Sequence, residues 1–541
     1  SPHLAQIRLI QVCPNPSVVY VFDIPRTGLE VLTPLWNGHF VAHNAVFEIK
    51  TLYHIGIVPG RMDCTMLMYN AIYNVLKDLQ SVSHKVLNLD LSKEMQCSDW
   101  SKTNLAKEQI RYAAMDAWTV KKLFDPLMRK IRSWKRESIY SLMQAAQNPV
   151  AKMEYYGSNL DAVGHVQWKN RIAENLKQAR EELQAEIGTD INPNSTKQVS
   201  NFLKANLDQS TLNRWQTNET GDLSLNKDVV SNFSDIKMVR PLAEYKKLTS
   251  VQSNFGDKMI QAINPETGRI HPEYSIAGAR TGRFSCSKPN LQNIPNDKEL
   301  RSLFQAPPEY SLIVADYSQI ELRILAILSQ EHTMLKAYQQ GQDLHRLTAS
   351  KVSGVTPEEV TDSQRQAAKA VNFGLVFGMS ASSLAQYAKS AYGVNMSEKE
   401  AKEYMKTYFE TYPGVSTWHR KVTRYARITS KAVTQSGRVA VINKEKQNTQ
   451  PKNFPVQGSA AEVLLAALSI LDQEITRRGL DIKIINCVHD EIHLEAPQDL
   501  AEEAKNILED SMTRGMLQIF PEAETQNLVE AGIGKSWEEA K

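Results

Sequence analysis

The chain has 541 residues, of which 42% are hydrophobic and 23% are charged, and its formal net charge is +3. This composition is typical of a globular protein, and the length predicts several domains, because one hydrophobic core rarely extends beyond about 300 residues. The small net charge gives no general indication of nucleic-acid binding, so local basic clusters would have to provide it.

The five cysteines are scattered and form no C-x-x-C pair. This argues against a zinc ribbon and a disulfide framework and favours a reducing compartment. No apolar run approaches the ~18 residues of a membrane span, and the first residues lack the features of a signal peptide. The chain has no initiator methionine and opens almost directly into strand-like sequence. We therefore expect a fragment or processed form of a longer protein.

Residues 1–135 combine predicted strands and helices. Two β-rich runs are separated by the turn signal Pro14-Asn15-Pro16, and two helical patterns follow. The predicted elements cover residues 8–12, 17–24, 44–55 and 107–131. Residues 136–260 are mostly helical and polar, and 165–187 is the longest helical stretch. It is interpreted either as a solvated helix face or as an arm that contacts nucleic acid.

The remaining sequence alternates between strands and helices. Strand-and-turn character returns at 261–330, residues 331–430 are helical, and strands recur near 438–442 and 483–495, on either side of a helix at 460–478. A sheet built from these two strand-rich regions would bring together residues that are far apart in sequence.

Acidic residues stand at the ends of two predicted strands of that sheet. Asp316 follows an apolar strand, and the pair Asp490-Glu491 lies at a turn between two alternating strands. A carboxylate at a strand end costs desolvation unless a cation neutralises it, and hard oxygen ligands suit Mg²⁺. Two ions roughly 3.5–4 Å apart would serve an in-line phosphoryl displacement. The alternative is that each aspartate is an ordinary cap or turn residue.

Four residues spaced four apart form one stripe on a predicted helix between these segments: Arg365, Lys369, Phe373 and Phe377. Two cations followed by two aromatic rings would fit a nucleoside triphosphate from phosphates to base. Gly374 and Gly378 weaken the helix by about 1 kcal/mol each, which predicts a close approach by backbone or nucleic acid. The alternative is an amphipathic helix with a basic end and a core end.

A fourth segment, residues 279–295, combines arginines, hydroxyls, amides and turn formers. These side chains suit phosphate contacts and acceptors in the minor groove. The alternative is an ordinary polar loop.

Taken together, the four segments resemble family A DNA polymerases of the bacterial DNA polymerase I kind. The matching motifs are T-G-R…P-N-L-Q-N-I-P, D-Y-S-Q-I-E-L-R, R-x3-K-x3-N-F-G and V-H-D-E, in the family's order and spacing. The resemblance covers the whole chain and implies a multidomain protein of α/β and α+β class, with an RNase H-like exonuclease domain before a right-hand polymerase. The implied regions are exonuclease 1–135, thumb and start of the polymerase 136–260, palm 261–330 and 438–541, and fingers 331–437.

The resemblance also implies roles for matching residues. Two Mg²⁺ ions, for which Mn²⁺ substitutes, would be held by Asp316, Asp490 and the Tyr317 carbonyl, with Glu491 in support and Lys369 as a further catalytic residue. The implied residues for deoxynucleoside triphosphate are Arg365, Lys369, Phe373, Phe377, His345, Gln319 and Glu321, the last filling the space that a ribose 2′-OH would need. The implied contacts to primer–template DNA are Arg283, Asn290, Gln292, Asn453, Gln457 and His489.

The sequence departs from the family pattern at two positions. The family often has a tyrosine, bonded to the gate glutamate, where Phe377 stands, so this bond cannot rigidify Glu321. Bacterial members usually carry an arginine where Thr449 stands, and the wording N-F-P-V-Q-G resembles phage-type members.

The exonuclease resemblance is partial. Asn44 and Glu48 match the second exonuclease motif, where the family normally has aspartate at position 48, and Tyr112 and Asp116 match the third. The first motif, D-x-E, should precede residues 7–11, where no such pair occurs. The resemblance therefore implies an inactive 3′–5′ exonuclease in this chain, with Asp63 and Asp99 structural.

Two rival functions differ in testable features. Single-subunit RNA polymerases use a tyrosine at the Phe377 position and lack a gate glutamate, so Phe377 with Glu321 favours deoxynucleotides. The second rival is a non-catalytic primer–template binder or a pure exonuclease; the first would not need Asp316 and Asp490, and the missing D-x-E argues against the second. The expected partners are primer–template DNA and nucleotides, with no membrane; the chain is expected to be a monomer in a bacterial or phage-infected cytoplasm, with an organelle as the alternative. Any processivity partner is left open.

Overall fold

The computed structural model describes residues 2–188, 190–443 and 449–541. In the N-terminal region, the two predicted strands are confirmed as β1 and β2, which pair in antiparallel, and β3 pairs with β4 in parallel. Both predicted helices are confirmed, as α2 and α5. The elements are β1 (Leu9–Asn15), β2 (Val18–Asp23), α1 (Ile24–Thr27), β3 (Phe40–Ala42), α2 (Ala45–His54), β4 (Met62–Cys64), α3 (Thr65–Tyr73), α4 (Leu79–Leu87) and α5 (Lys107–Ser133).

The next region is helical, as predicted. A separate hydrophobic core, in which Trp215 stacks on Phe233 at 4.2 Å between ring centroids, extends over residues 179–248. The elements are α6 (Glu137–Ala145), α7 (Gln147–Tyr156), β5 (Ser158–Asn159), α8 (Ala162–Ile187), α9 (Thr196–Asn206), α10 (Gln209–Arg214), α11 (Lys227–Ser231), α12 (Arg240–Phe255) and α13 (Asp257–Gln261).

Residues 261–330 and 331–437 carry one long strand and a group of helices. Thr361 and Gln364 form a capping box that starts α18, satisfying free backbone donors at its first turn. The elements are β6 (Arg269–Ile270), β7 (Glu273–Ser275), β8 (Ser285–Ser287), α14 (Lys298–Ser302), β9 (Tyr310–Tyr317), α15 (Ile320–Ser329), α16 (His332–Gln339), α17 (Leu344–Ser353), α18 (Asp362–Val376), α19 (Ala381–Tyr392), α20 (Glu398–Thr411), α21 (Pro413–Thr429) and β10 (Lys431–Val433).

The last region completes the central sheet. Its elements are β11 (Val439–Val441), α22 (Gln450–Arg478), β12 (Lys483–Val488), β13 (Glu491–Pro497), α23 (Ala501–Ile519) and β14 (Val529–Gly534). The sheet has the antiparallel order β12-β13-β9-β14. The predicted sheet from distant segments is thus confirmed, because β9 lies between strands from the end of the chain. The strand predicted at 438–442 pairs instead with β10 in a separate hairpin.

Helix α22 starts ten residues earlier than the sequence pattern predicts, at Gln450 rather than 460, and includes Pro455. A proline lacks one helical hydrogen bond, but the buried neighbours Phe454 and Val456 keep this turn packed. The helix is long and apolar enough to cross a membrane by length and composition, yet 89% of its apolar window is buried inside the protein. It is therefore a core helix, packed against α23.

Candidate active site

The carboxylates singled out in the sequence meet at one end of the central sheet, where β9 ends and β12 turns into β13; this end is the sheet edge that carries the site. Asp316 is the penultimate residue of β9, and Asp490 lies in the turn between β12 and β13. His489 takes a left-handed φ of 58° in that turn, and the register places Glu491 directly opposite Asp316. The pairing of β9 with β13 therefore brings Asp490 to the end of β9.

The electrostatics of this pair suit a divalent cation. Burial and the charge of Asp316 raise the pKa of Asp490 to about 7. Burial also raises the pKa of Asp316, although Lys541 Nζ lies 3.5 Å from Asp316 Oδ2 and opposes that shift. Within the described residues, Asp316 Oδ1 is buried without a hydrogen-bond partner. Two mutually repelling carboxylates with a free buried oxygen form a donor set that fits Mg²⁺.

Glu491 has a different environment from the two aspartates. Its carboxylate accepts hydrogen bonds from Trp537 Nε1 at 2.7 Å and from Lys541 Nζ, and it lies 2.5 Å from His493 Nε2. It is 3% exposed. These contacts hold Glu491 beside the site, and its supporting role stays a prediction. Trp537 and Lys541 were not identified from the sequence, because no motif spacing links them to the strand ends.

Ten of the residues predicted for the site line one cavity of about 440 Å³. It lies between the sheet edge and the helices α15, α17 and α18. The lining residues are Arg283, Tyr317, Gln319, Ile320, Glu321, His345, Arg365, Lys369, Phe373, His489 and Asp490. The Tyr317 phenol is buried and donates to the Met512 carbonyl at 2.6 Å, so the part of Tyr317 that reaches the cavity is its backbone.

The wall formed by α17 and α18 is basic. Arg365 Nε donates to Asp343 Oδ2 at 2.6 Å, whereas no described carboxylate lies within ion-pair distance of Lys369, whose Nζ is 5.9 Å from the centre of the Tyr392 ring. Burial lowers the pKa of His345 to about 4, so this residue is neutral at pH 7. Asn372 Nδ2 donates to His345 Nδ1 at 2.9 Å, which leaves the Nε2 proton for a ligand.

Glu321 is held in place by a contact that the sequence did not reveal. Glu321 is 8% exposed in the first turn of α15, and its carboxylate forms an ion pair with Arg283. Arg283 was predicted as a DNA contact only. This ion pair holds the Glu321 carboxylate without a contribution from position 377.

Phe377 lies just beyond the end of α18 and outside the lining of the cavity. Gly378, with φ 66°, ends the helix, and the Met379 amide donates to the Gly374 carbonyl at 3.1 Å. The predicted four-residue stripe is therefore helical only from Arg365 to Phe373. The close approach predicted for the glycines comes from side chains: a Cβ at Gly374 would lie 2.5 Å from Leu384 Cδ1.

We expect Phe377→Tyr to change sugar discrimination only modestly, because Arg283 already engages the Glu321 carboxylate. A new hydroxyl bond contributes about 0.5–1.5 kcal/mol, or more to a charged group. The measurement is the ratio of kcat/KM for deoxynucleotides and ribonucleotides. A shift beyond about a hundredfold, ~2.7 kcal/mol, would contradict this placement of Phe377.

The residues predicted to contact DNA lie in several environments. His489 lines the cavity, and Asn290 lines a second cavity of about 520 Å³ near α13. Gln292 is 8% exposed and its Nε2 donates one hydrogen bond to the Cys487 carbonyl at 3.2 Å, which leaves its second N–H and its carbonyl oxygen for other partners. Asn453 and Gln457 are half-buried on the first turns of α22, and these DNA contacts stay predictions.

The residues that resemble exonuclease motifs are on α2 and α5. Asn44 is the left-handed N-cap of α2, and Tyr112 and Asp116 are one turn apart on α5. Glu48 is half-buried, and its Oε2 is buried without a hydrogen-bond partner among the described residues. This burial raises its pKa to about 8. Burial also raises the pKa of Asp116 to about 6. Over residues 2–188, 190–443 and 449–541, no group of three or more His, Cys, Asp or Glu is placed to hold a metal ion.

We expect this chain to show no metal-dependent shortening of a mismatched primer. Two-metal hydrolysis needs several ionised carboxylates, whereas burial favours the protonated form of Glu48 at neutral pH. The measurement uses a 5′-labelled mismatched primer with Mg²⁺ and without nucleotides. Glu48→Asp is expected to leave the result unchanged. Shortening that disappears in Asp116→Asn would show that the domain is active.

Comparisons with known proteins extend over nearly the whole chain. Residues 165–539 match the model of DNA polymerase family A, and residues 2–132 match that of a 3′-5′ exonuclease. DNA polymerase I of Aquifex aeolicus (strain VF5) is 32% identical over 98% of this chain and 94% of the relative. DNA polymerase I of Pseudomonas aeruginosa is 34% identical over 79% of this chain, which spans 47% of that relative.

A solved structure has the same architecture. The POL domain of Pol1 from M. smegmatis, in complex with DNA primer-template and dNTP, has a TM-score of 0.82 and 26% identity to this chain. The match covers 96% of this chain and 91% of that chain.

Proposed function

Because the chain belongs to DNA polymerase family A, we propose that it extends a primer 3′ end by two-metal nucleotidyl transfer in the cavity at the sheet edge. It is a DNA-directed DNA polymerase, and the family is metal-dependent. The proposal is carried by Asp316 Oδ1, which is buried without a hydrogen-bond partner among the described residues and lies on the carboxylate whose charge acts on Asp490. Asp490 lines the same cavity as Lys369, which has no described carboxylate within ion-pair distance.

The palm side of the cavity would hold the metal ions. Asp316, Asp490 and the Tyr317 carbonyl would ligate two Mg²⁺, which supply charge stabilisation for phosphoryl transfer and lower the pKa of the attacking hydroxyl. Glu491 acts through its bonds to Trp537 and Lys541, which keep β13 and the Asp490 turn in place.

The fingers side would bind the triphosphate. Arg365 and Lys369 neutralise phosphate oxygens, and His345 donates from Nε2 as a neutral group. Phe373, whose ring centre is 5.7 Å from that of His345, packs against the sugar. Gln319, at the start of α15, accepts a hydrogen bond from Tyr338 Oη at 3.4 Å. It lines the cavity in which the nucleotide would bind. Glu321 occupies the volume that a 2′-OH requires.

The remaining roles follow the same alignment of motifs. We assign contacts with the primer–template to Arg283, Asn290, Gln292, Asn453, Gln457 and His489. We assign the exonuclease domain to residues 1–135 and the thumb to 136–260. The palm is assigned to 261–330 and 438–541, and the fingers to 331–437. A monomer in the cytoplasm of a bacterium or phage-infected cell is the proposed setting.

A primer-extension assay tests the function. The chain is incubated with a labelled primer–template, Mg²⁺ and either the four deoxynucleotides or the four ribonucleotides. We expect extension that follows the template with deoxynucleotides and that stops in EDTA. Efficient extension with ribonucleotides alone would favour the RNA polymerase alternative, and binding without extension would favour a non-catalytic binder.

A further inference from the structure

A buried arginine joins the N-terminal region to the palm. Arg438 is 1% exposed, and its Nη1 donates to Asn70 Oδ1 at 2.8 Å and to Asn74 Oδ1 at 3.1 Å, both at the end of α3. Among the described residues, no carboxylate lies within ion-pair distance of it. Burial lowers the pKa of Arg438 to about 10, so it stays charged at neutral pH. A buried cation needs polar partners, and the N-terminal region supplies them.

Asn74 also contacts the polymerase region directly. Its Nδ2 donates to the Arg280 carbonyl at 2.9 Å, while its Oδ1 accepts from Arg438. The Asn74 amide therefore contacts both proposed palm segments, through Nδ2 to the segment 261–330 and through Oδ1 to the segment 438–541. Asn74 has a left-handed φ of 55° as the C-cap of α3, which fixes the direction of its side chain.

The segment that Asn74 holds is a tight turn that carries Arg283. The Ala279 amide donates to the Arg283 carbonyl at 3.1 Å, and the Gly282 amide donates to the Ala279 carbonyl at 2.9 Å. Gly282 has φ 94°, and a Cβ there would lie 2.6 Å from Arg438 Nε. The turn thus rests on Arg438 and places Arg283 where it pairs with Glu321.

We propose that Asn74, in the exonuclease-like region, is a positioning residue of the polymerase site. It holds Arg438 and the 279–283 turn so that Arg283 fixes the Glu321 carboxylate, and it thereby sharpens sugar discrimination. The proposal rests on the proposed function through the gate role of Glu321. It gives the N-terminal region a function in synthesis that does not depend on hydrolysis.

The test measures the deoxynucleotide-to-ribonucleotide ratio of kcat/KM in full-chain variants. Asn74→Gly removes both bonds without straining the left-handed backbone, and Asn74→Asp keeps the acceptor for Arg438 but loses the donor to Arg280. Asn88→Gly is the matched control: Asn88 is also a left-handed C-cap, of α4, with φ 53°, and is exposed. Loss of one or two such bonds predicts a ratio about threefold to tenfold lower in Asn74→Gly.

The outcomes separate this proposal from the gate assignment. A lower ratio in Asn74→Gly with Asn88→Gly unchanged supports the proposal, and the same loss in Asn74→Asp assigns the effect to the Arg280 bond. An equal fall for both nucleotide types, or an unchanged ratio while Glu321→Ala changes it, overturns the proposal. An unchanged ratio in Glu321→Ala would instead refute the gate role itself.

Discussion

Asp316→Asn and Asp490→Asn are each expected to lower the rate of nucleotide incorporation by at least about 1,000-fold, or roughly 4 kcal/mol in activation free energy. Each change replaces a charged oxygen ligand at the sheet edge by an amide of similar shape. Single-turnover incorporation on a saturating primer–template is the measurement. Primer–template affinity is expected to stay within about threefold, because the amides preserve the packing. A variant that keeps more than about a tenth of the wild-type rate would refute the metal assignment.

Protein stability provides an independent control on these variants. Burial and the charge of Asp316 raise the pKa of Asp490 to about 7 in the folded protein. As pH rises, the Asp490 carboxyl therefore ionises at a lower pH in the unfolded chain than in the folded chain. In EDTA, ionisation of Asp490 therefore lowers the free energy of unfolding between about pH 4 and pH 7 and leaves it lower above that range. Asp490→Asn lacks this penalty. Its melting temperature at pH 8 should equal or exceed that of the wild type, so lost activity would not reflect misfolding.

The strand ends of the palm could be predicted because their chemistry is local. An apolar strand that ends in aspartate places Asp316 near a strand end, and an acidic pair between two alternating strands places Asp490 in a turn, whatever the partner strands are. The register of β9 with β13 then brings them together. The basic stripe of α18 was predictable for the same reason, up to the point where Gly378 ends the helix.

The supporting contacts could not be predicted in this way. The bonds from Trp537 and Lys541 to Glu491, and the bond from Asn74 to Arg280, join segments that no local pattern relates. The start of α22 was missed because Pro455 indicates a helix boundary, whereas burial of its neighbours outweighs one lost hydrogen bond. Tertiary packing, rather than local preference, decides these features.

Glu321→Ala is expected to lower the ratio of deoxynucleotide to ribonucleotide kcat/KM by about a hundredfold, equivalent to ~2.7 kcal/mol. Glu321 lies in the first turn of α15, lines the cavity and is 8% exposed, so its side chain fills space next to the bound nucleotide. Under the proposed gate role, removing that volume relieves the clash with a 2′-OH. The fall in this ratio should come mainly from a higher kcat/KM for ribonucleotides and not from a lower kcat/KM for deoxynucleotides.

Two further variants separate the volume of Glu321 from its ion pair with Arg283. Glu321→Gln keeps the volume and removes the charge, so it should retain most of the discrimination if steric exclusion dominates. Arg283→Ala leaves the carboxylate without its partner and is expected to reduce discrimination by less than Glu321→Ala while also weakening primer–template use. If Glu321→Gln lost as much discrimination as Glu321→Ala, the charge on Glu321 and not its size would select the sugar. An unchanged ratio in all three variants would place sugar selection elsewhere in the cavity.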